Sequence, residues 1–512
     1  MNENSIVPRE PAKSPNYQCT WYAQNYWVGR PGEIPSPGVV TNEASRETLN
    51  AHNLLNDEDG WASTYLPRNR SDFYFLIDHG WQTKDETERV PGADVFFSLQ
   101  VDSVDFPEYA GLPPQEALRR LNQEVVSRGW RGLGLWLRGE LTPANAEQFA
   151  KWCKYAGVEY WKIDEGDTRL FNAYDAKERF FPKLILEYIT GSNGALNTGW
   201  EDPGRQSYPS VYDVGGAKQE DALRALRVAD VFRTYDCSPF LATTTTIQRT
   251  HDILKQTRNK PEFRAVLNLE DEPQVAAGLG CLIGSMRHPN YMERTYRGQD
   301  FNHMTGGKRM IQKRINEIER FGRWQRIAPA FPAGSGSYAS SDLELRDFYP
   351  HTELDLWEGA AYGKTVYQSA PAVTARNMAL PKVEVDGDMP YVMASTYPNG
   401  PVAIVTEGRV KPEDQWYHPR AKVSIRVSDP PAPIGVFGHY DSLVIHFDGD
   451  LAGREKVWAQ DLLADEAMDV TAEVTLAGNT LTIPGEVIDR IGTLAASEGD
   501  ISAPGLVVEL RR

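Results

Sequence analysis

The sequence predicts an α/β fold, a (β/α)₈ TIM barrel followed by a C-terminal antiparallel β-sandwich domain. Between about residues 17 and 330, eight short apolar segments alternate with helix-like segments, which is typical of parallel strands joined by helices. From about residue 390 onward, short strands and turns follow one another without a good helix. The length of 512 residues accommodates a barrel of roughly 250 residues or more and one further domain.

The predicted barrel strands are short apolar segments, several of which end in polar or charged residues. They cover residues 20–27, 72–78, 132–137, 158–164, 194–198, 231–236, 264–269 and 281–286. Apolar residues at helical spacing predict helices at 114–128, 143–156, 219–229 and 309–324.

The domain boundaries follow from changes in composition. Residues 331–345 are rich in Gly, Ser and Ala, which is typical of a loop or linker. Asn399-Gly400 and residues 477–479 are hairpin-type turns between strand-like segments. We therefore expect an N-terminal tail at 1–16, the barrel at 17–340, a linker region at 341–384 and the sandwich at 385–512.

Composition excludes several classes of function. With 54 basic and 71 acidic side chains the net charge is −17, so the surface repels phosphate backbones and nucleic acid is not an expected partner. No segment approaches the ~20 apolar residues of a membrane helix, and residues 1–17 do not resemble a signal peptide. We expect a cytoplasmic protein, or a secreted or periplasmic one if a signal peptide was removed; homo-oligomerisation is left open.

The sequence also favours chemistry without a metal or cofactor. The four cysteines are scattered and form no C-x-x-C pair, so neither a zinc site nor a disulfide framework is indicated. The nine histidines show no H-x-H or H-E-x-x-H spacing. The 13 Trp and 23 Tyr fit either a large core or sugar-stacking surfaces, and composition alone favours the large core.

The segment GVEYWKIDEGD at 157–167 carries the most specific pattern. Side chains alternate along a strand, so Lys162 and Asp164 share one face with Tyr160. At the C-terminal end of a barrel strand that face points into the active site. A carboxylate beside a lysine keeps a low pKa and stays ionised, as a nucleophile requires. The alternative is a structural ion pair at the strand end.

Two further strand-like segments end in the same way. VADVFRTYDCSPF at 228–240 places Asp236 three residues after Arg233, where Asp236 is either a catalytic group or the cap of the next helix. DFYFLIDHGWQ at 72–82 ends in Asp78 and His79, and His79 is either a ligand or a structural histidine. Three such strand ends together indicate an active site more strongly than any one of them does alone.

Six short motifs of the barrel region resemble, in the same order, motifs of clan D glycoside hydrolases, which include α-galactosidase families 27 and 36 and are melibiase-like. They are IDHGW at 77–81, FP at 106–107, SRGWRGLGLW at 127–136, WKID at 161–164, RTYD at 233–236 and NLEDEP at 268–273. WAQDLL at 458–463 resembles more loosely a turn of that clan's C-terminal sandwich.

The resemblance implies roles for particular residues. Asp164 corresponds to the nucleophile and Asp236 to the general acid/base. Asp78, Trp136, Lys162 and Arg233, together with Asp271 and Trp21, are implied to lie in the sugar pocket. His79 departs from the family, because the family's motif has an aspartate there that binds the galactose 4- and 6-hydroxyls. The spacing from Arg233 to Asp236 is also shorter than in many family 27 enzymes.

The implied function is a retaining, exo-acting α-glycoside hydrolase whose substrate is an oligosaccharide or glycoside with a galactose-configured or related sugar. Retaining glycosidases place two carboxyl groups about 5–5.5 Å apart, one as nucleophile and one as acid/base. Three alternatives remain open: a transglycosylase of the same clan, a non-catalytic carbohydrate-binding barrel, and an unrelated barrel enzyme such as a metal-dependent lyase.

Overall fold

The computed structural model describes most of the chain, with gaps concentrated in the loops between barrel elements. The described residues are 4–26, 46–85, 87, 98–137, 141–164, 167–189, 205–207, 216–234, 243–269, 271–286, 295–296, 299–300, 307–351, 364–411, 415–428 and 432–512.

Eight parallel strands form a closed barrel. They are β1 (Asn16–Cys19), β2 (Phe73–Ile77), β3 (Gly132–Leu137), β4 (Tyr160–Asp164), β5 (Ile185–Ile189), β6 (Val231–Arg233), β7 (Val266–Asn268) and β8 (Gly284–Ser285). Each strand pairs in parallel with the next from β1 to β7, and β1 also pairs with β8. A parallel bridge from Asn268 to Leu282, just before β8, closes the ring. The predicted TIM barrel is therefore confirmed.

One of the predicted strands is contradicted, and another falls outside the described residues. The first, at 20–27, is wrong, because β1 ends at Cys19 and Trp21–Tyr26 is a helix. The backbone amide of Gln24 donates to the carbonyl of Thr20 (2.9 Å), so the aromatic residues that suggested a strand belong to a helical turn. The predicted strand at 194–198 lies outside the described residues, and the fifth barrel strand is β5, which has a charged Glu187 at its centre.

The four predicted helices are confirmed, with ends shifted by at most three residues. Helix Pro143–Ala156 begins where Thr142 accepts a hydrogen bond from the backbone amide of Asn145, and it ends at Gly157, whose φ of 73° favours glycine. The described α-helices of the barrel domain are Trp21–Tyr26, Ala51–Leu55, Trp61–Thr64, Pro114–Ser127, Pro143–Ala156, Asp167–Phe180, Gly216–Val228, Thr243–Thr257, Pro273–Leu279 and Gly307–Ile327. Short 3₁₀ turns cover Arg70–Asp72 and Pro107–Tyr109.

The C-terminal domain is a sandwich of two sheets around an apolar core that includes Ile404 and Ile445. The larger sheet has the strand order Tyr338–Ser340, Val373–Arg376, Tyr391–Thr396, Val402–Glu407, Ile434–Phe437, Gly505–Arg511, Lys456–Asp461 and Met468–Asp469. The smaller sheet has the order Lys382–Glu384, Lys422–Val427, Ser442–Phe447, Thr480–Pro484 and Thr475–Ala477. The predicted turns at Asn399-Gly400 and 477–479 join antiparallel strands.

The sandwich differs from the prediction in three respects. It is not wholly antiparallel, because Val402–Glu407 pairs in parallel with Ile434–Phe437, and two further described pairs are parallel. Chain segments that cross between the two sheets return to the first sheet in the same direction, which makes these pairs parallel. A helix, Gly485–Gly492, also lies in the region predicted to have none, and a 3₁₀ turn covers Thr471–Glu473.

The interval 341–384, expected as a linker region, contains strands. Glu344–His351 and Lys364–Pro371 form a long antiparallel ribbon, and Arg205–Ser207 of the barrel domain adds to it in parallel. Val373–Arg376 and Lys382–Glu384 belong to the sandwich sheets. Sequence composition missed them because the Gly- and Ser-rich stretch before them suggested a longer loop. Two short hairpins complete the described strands: Thr295–Tyr296 with Gln299–Asp300, and Arg409–Lys411 with Gln415–Tyr417.

The two domains pack directly on one another. Arg320 of helix Gly307–Ile327 forms an ion pair with Asp461 of the sandwich, Nε to Oδ1 at 3.2 Å, with both side chains buried. A Cβ added at Gly278 would lie 2.7 Å from the Cβ of Met393, so the absence of a side chain permits this close approach. Among the described residues, no helix is long and apolar enough to cross a membrane.

Candidate active site

Asp164 lies at the C-terminal end of β4, at the mouth of the barrel, where its side chain is partly buried. The neighbouring strand β3 presents Trp136, whose indole Nε1 donates a hydrogen bond to Asp164 Oδ2 at 3.3 Å. A charged acceptor strengthens such a bond, so the indole both orients the carboxylate and stabilises its charge. The structure therefore brings together two residues that were predicted for one pocket.

A buried ion pair lies beside this carboxylate. Lys162 Nζ is 2.6 Å from Asp78 Oδ2, and both side chains are only 3% exposed. The backbone amide of His79 donates to Asp78 Oδ1 at 2.8 Å, and the thiol of Cys19 donates to Oδ2 at 3.1 Å. Burial by itself raises the pKa of Asp78, but the charge of Lys162 and these hydrogen bonds outweigh burial and lower it below its usual value. Asp78 is therefore an ionised carboxylate with fixed geometry.

Aromatic side chains, which we call the aromatic wall, lie beside Asp78 and Asp164. The imidazole of His79 lies near two indoles, with its centroid 5.0 Å from that of Trp136 and 6.5 Å from that of Trp21. The side-chain amide of Gln24 donates to the backbone carbonyl of His79 at 2.6 Å and holds this turn in place. His79 is thus packed against rings in the position where the related motif has a carboxylate.

Arg233 and Asp271 lie on the other side of the barrel. Arg233, at the end of β6, is fully buried; its Nη1 donates to the hydroxyl of Tyr17 and its Nη2 contacts Met286 Sδ, each at 3.5 Å. Asp271, after β7, accepts a hydrogen bond at Oδ1 from the backbone amide of Met286 at 2.8 Å. These two predicted residues therefore meet at Met286, and their contact with a sugar stays a prediction.

Asp236 lies outside the described residues. The described part of its segment ends at Thr234, whose backbone amide donates to the carbonyl of Asn268 at 3.2 Å. The assignment of Asp236 as acid/base therefore stays a prediction.

The structure adds residues that the sequence analysis did not assign to the site. Glu187, at the centre of β5, is fully buried and accepts hydrogen bonds from Tyr17, Tyr160 and Asn268. Tyr160 was placed on the face of Lys162 and Asp164 by strand alternation, but its partner was not foreseen. An isolated charge inside an apolar strand-length segment, as in ILEYI at 185–189, is the signal that would have indicated Glu187.

The described residues contain no group of three or more His, Cys, Asp or Glu side chains arranged to hold a metal ion.

No protein-family model matches the sequence, and no curated protein matches it. A maltogenic α-amylase from Thermotoga neapolitana superposes with a TM-score of 0.34 and 8% identity, over 97% of this chain and 99% of that chain. A γ-CGTase from alkalophilic Bacillus clarkii gives 0.28 and 10%, over 85% and 74%. Orotidine 5′-phosphate decarboxylase from Lactobacillus acidophilus gives 0.26 and 12%, over 49% and 88%. Likenesses this weak carry no argument about function, and the fold assignment depends on the strand pairing above.

Proposed function

We propose that this protein is a retaining, exo-acting α-glycoside hydrolase that cleaves an α-linked, galactose-configured or related sugar from an oligosaccharide or glycoside. One observation carries the proposal: Asp164 lies at the C-terminal end of a barrel strand, is oriented by the indole N–H of Trp136, and shares its pocket with the Lys162–Asp78 pair. Barrel enzymes keep their catalytic groups at this end of the strands.

In the proposed reaction Asp164 is the nucleophile. One of its carboxylate oxygens forms a bond to the anomeric carbon while the bond from that carbon to the leaving oxygen breaks. The Trp136 N–H holds the carboxylate in place before the attack, and this hydrogen bond weakens as the negative charge of the carboxylate is lost on formation of the ester. The product of this step is a glycosyl ester on Asp164.

Asp236 is proposed to supply the proton to the leaving oxygen and then to remove a proton from the attacking water. Water attacks the anomeric carbon, the ester bond breaks, and Asp164 is regenerated with net retention of configuration. Residue types at strand ends and the clan D resemblance support this assignment of Asp236.

The sugar ring is proposed to bind against Asp78, Lys162 and the aromatic wall. Because Asp78 is held ionised by Lys162, its oxygens are strong acceptors for ring hydroxyls. His79 offers one donor and one acceptor where a carboxylate offers only acceptors, so the preferred hydroxyl pattern differs from that of galactose. We propose a galactose-configured sugar modified at, or lacking, its primary hydroxyl, such as L-arabinopyranose.

The test begins with a panel of nitrophenyl glycosides on the wild-type protein, followed by Asp164→Asn. The amide cannot form the glycosyl ester, so we expect turnover to fall by at least about 10³-fold with an unchanged circular dichroism spectrum. Asp175→Asn, on an exposed helix position, is the matched control and should behave like wild type. A fully active Asp164→Asn protein contradicts the assignment.

Two arms of the same experiment address the alternatives. Adding an acceptor sugar and analysing products separates hydrolysis from glycosyl transfer, because a transglycosylase forms a new glycoside in preference to free sugar. A wild-type protein that binds sugar but turns over no glycoside would instead be a non-catalytic binding barrel.

A further inference from the structure

Glu187 is a fully buried carboxylate inside the barrel that the proposed mechanism does not use. Its Oε1 accepts hydrogen bonds from Asn268 Nδ2 at 2.6 Å and from the Tyr17 hydroxyl at 3.2 Å. Its Oε2 accepts one from the Tyr160 hydroxyl at 3.2 Å. These donors come from β7, β1 and β4, so one carboxylate joins strands from around the barrel.

The height of Glu187 in the barrel places it just below the pocket. In the pairing of β4 with β5, Glu187 is in register with Lys162, and Asp164 is two residues further along β4. Side chains two residues apart on a strand point to the same side. The carboxylate therefore lies one interior layer beneath the residues proposed for catalysis.

A buried carboxylate is stable only if it is hydrogen-bonded and compensated by positive charge. Lys162 is engaged by Asp78 at 2.6 Å. Arg233, also fully buried, donates to the Tyr17 hydroxyl at 3.5 Å, and the same hydroxyl donates to Glu187. Burial raises the pKa of Tyr17 well above its ordinary value, so the hydroxyl keeps the proton that it donates. Tyr17 thus links the guanidinium to the carboxylate.

The positive charge of Arg233 also acts directly on the Glu187 carboxylate. Burial raises the pKa of Glu187, and the charge of Arg233 is the strongest of the influences that oppose it. Asn268 also bonds the Tyr17 hydroxyl, at 3.1 Å, and accepts at Oδ1 from the backbone amide of Gly284 at 2.7 Å. Asn268 thus donates to both the Tyr17 hydroxyl and Glu187 and fixes the hydroxyl that joins Arg233 to Glu187, so the position of Arg233 is coupled to the charge on Glu187.

We propose that Glu187 is a positioning residue, whose carboxylate holds the Arg233 guanidinium at the end of β6 through the Tyr17 hydroxyl. The effect on activity rests on the proposed function, in which Arg233 contacts the sugar. The pairing of Glu187 with Arg233 does not depend on that function and is measured separately below.

The activity test uses Glu187→Gln, which keeps the shape and removes the charge. We expect kcat/KM to fall by about 10–100-fold, the range typical of losing a group that orients a functional side chain. Tyr17→Phe, which removes only the bridging hydroxyl, should give a similar loss, and Glu187→Gln combined with Arg233→Lys should lose no more than Arg233→Lys alone. Glu159→Gln is the matched control, since Glu159 also accepts from a tyrosine, Tyr74 at 3.3 Å, but lies just before β4 begins, at its N-terminal end.

The stability test measures the same coupling without any substrate. Arg233→Met should lower Tm because it removes the positive charge that most strongly compensates the buried Glu187, and adding Glu187→Gln should raise Tm again. If Arg233→Met does not fold, the cycle of Tyr17→Phe with Glu187→Gln replaces it, and non-additive Tm shifts are expected there too.

The outcomes separate the two proposals. Non-additive effects in both cycles support the positioning role. If the wild-type protein hydrolyses no glycoside but the Tm shifts are non-additive, the proposed function is wrong and the coupling between Glu187 and Arg233 stands. If the wild-type protein is active but the kcat/KM losses of the single variants multiply and their Tm losses add, the positioning role is wrong and the proposed function stands.

Discussion

The buried ion pair between Lys162 and Asp78 allows us to predict how far the free energy of unfolding falls when one partner is removed. Both side chains are 3% exposed, and Asp78 also accepts from Cys19 and from the backbone of His79. Lys162→Met keeps most of the apolar stem but leaves the carboxylate buried without its cation. Removing one partner of such a pair typically costs about 3–5 kcal/mol.

The corresponding shift in melting temperature follows from the size of the barrel. An unfolding entropy of about 2.1 cal/mol/K per residue gives roughly 0.7 kcal/mol/K for a domain of roughly 320 residues. A loss of about 3–5 kcal/mol therefore lowers Tm by about 4–7 °C. Lys151→Met is the control, because the Lys151–Glu147 pair is largely exposed and such pairs contribute about 0.3–0.5 kcal/mol.

The pH dependence has a definite sign. In the wild type the pKa of Asp78 is lowered, so the stability from the pair is present above the unfolded pKa of about 3.9 and is lost as pH falls through the folded value. Without Lys162, burial dominates and the pKa of Asp78 rises above the unfolded value. The variant then takes up a proton in the native state and regains stability as pH falls.

Thermal melts of the wild type, Lys162→Met and Lys162→Met/Asp78→Asn, followed by circular dichroism at pH 7.5 and 4.5, test this reasoning. We expect the gap between wild type and Lys162→Met to narrow at pH 4.5, and the double variant to melt above Lys162→Met at pH 7.5. A Tm difference between wild type and Lys162→Met below 1 °C at pH 7.5, or one that is larger at pH 4.5, would refute the role assigned to the ion pair.

Two further predictions concern specificity and the domain interface. His79→Asp should raise the ratio of activity on an α-galactoside to that on an L-arabinopyranoside of the same ring configuration, because a carboxylate accepts from two hydroxyls; an unchanged ratio means that His79 does not contact the sugar. Glu407 is buried at the domain interface near Arg314, and burial raises the pKa of its carboxyl from 4.5 to about 7. The bound proton therefore stabilises the folded protein below pH 4.5, and this stabilisation is lost as pH rises through 7. Glu407→Gln should therefore be more stable than wild type by about 3 kcal/mol at pH 8 and similar to it at pH 4.5, measured by urea unfolding; an equal difference at both pH values would contradict this.

Local patterns predicted the strand ends that form the pocket. Alternation along 158–164 placed Lys162 and Asp164 on one face, and the same face contains both in the barrel. The predicted strands at 72–78 and 132–137 were also located to within one residue at each end, because each is a short apolar segment bounded by polar residues. Such patterns depend only on neighbours in sequence, which is why they can be read without a structure.

Contacts between distant strands were not predictable in the same way. Asp78 directly follows β2 and Lys162 lies on β4, with β3 between these strands, so their ion pair crosses the barrel interior. The charged Glu187 in β5 made that strand unlike the apolar pattern of its neighbours, and its three donors come from other strands. The first strand was misplaced because aromatic residues suit both strands and helical turns.

The sequence by itself determined the class of fold, the alternation that aims Lys162 and Asp164 into the barrel, and the two-domain order, because periodicity and composition are local properties of the chain. Only the tertiary structure decided which charges compensate one another, which indoles lie near His79, and where the sandwich strands begin. These depend on strand register and barrel closure, in which residues far apart in sequence become neighbours and burial makes every unmatched charge costly.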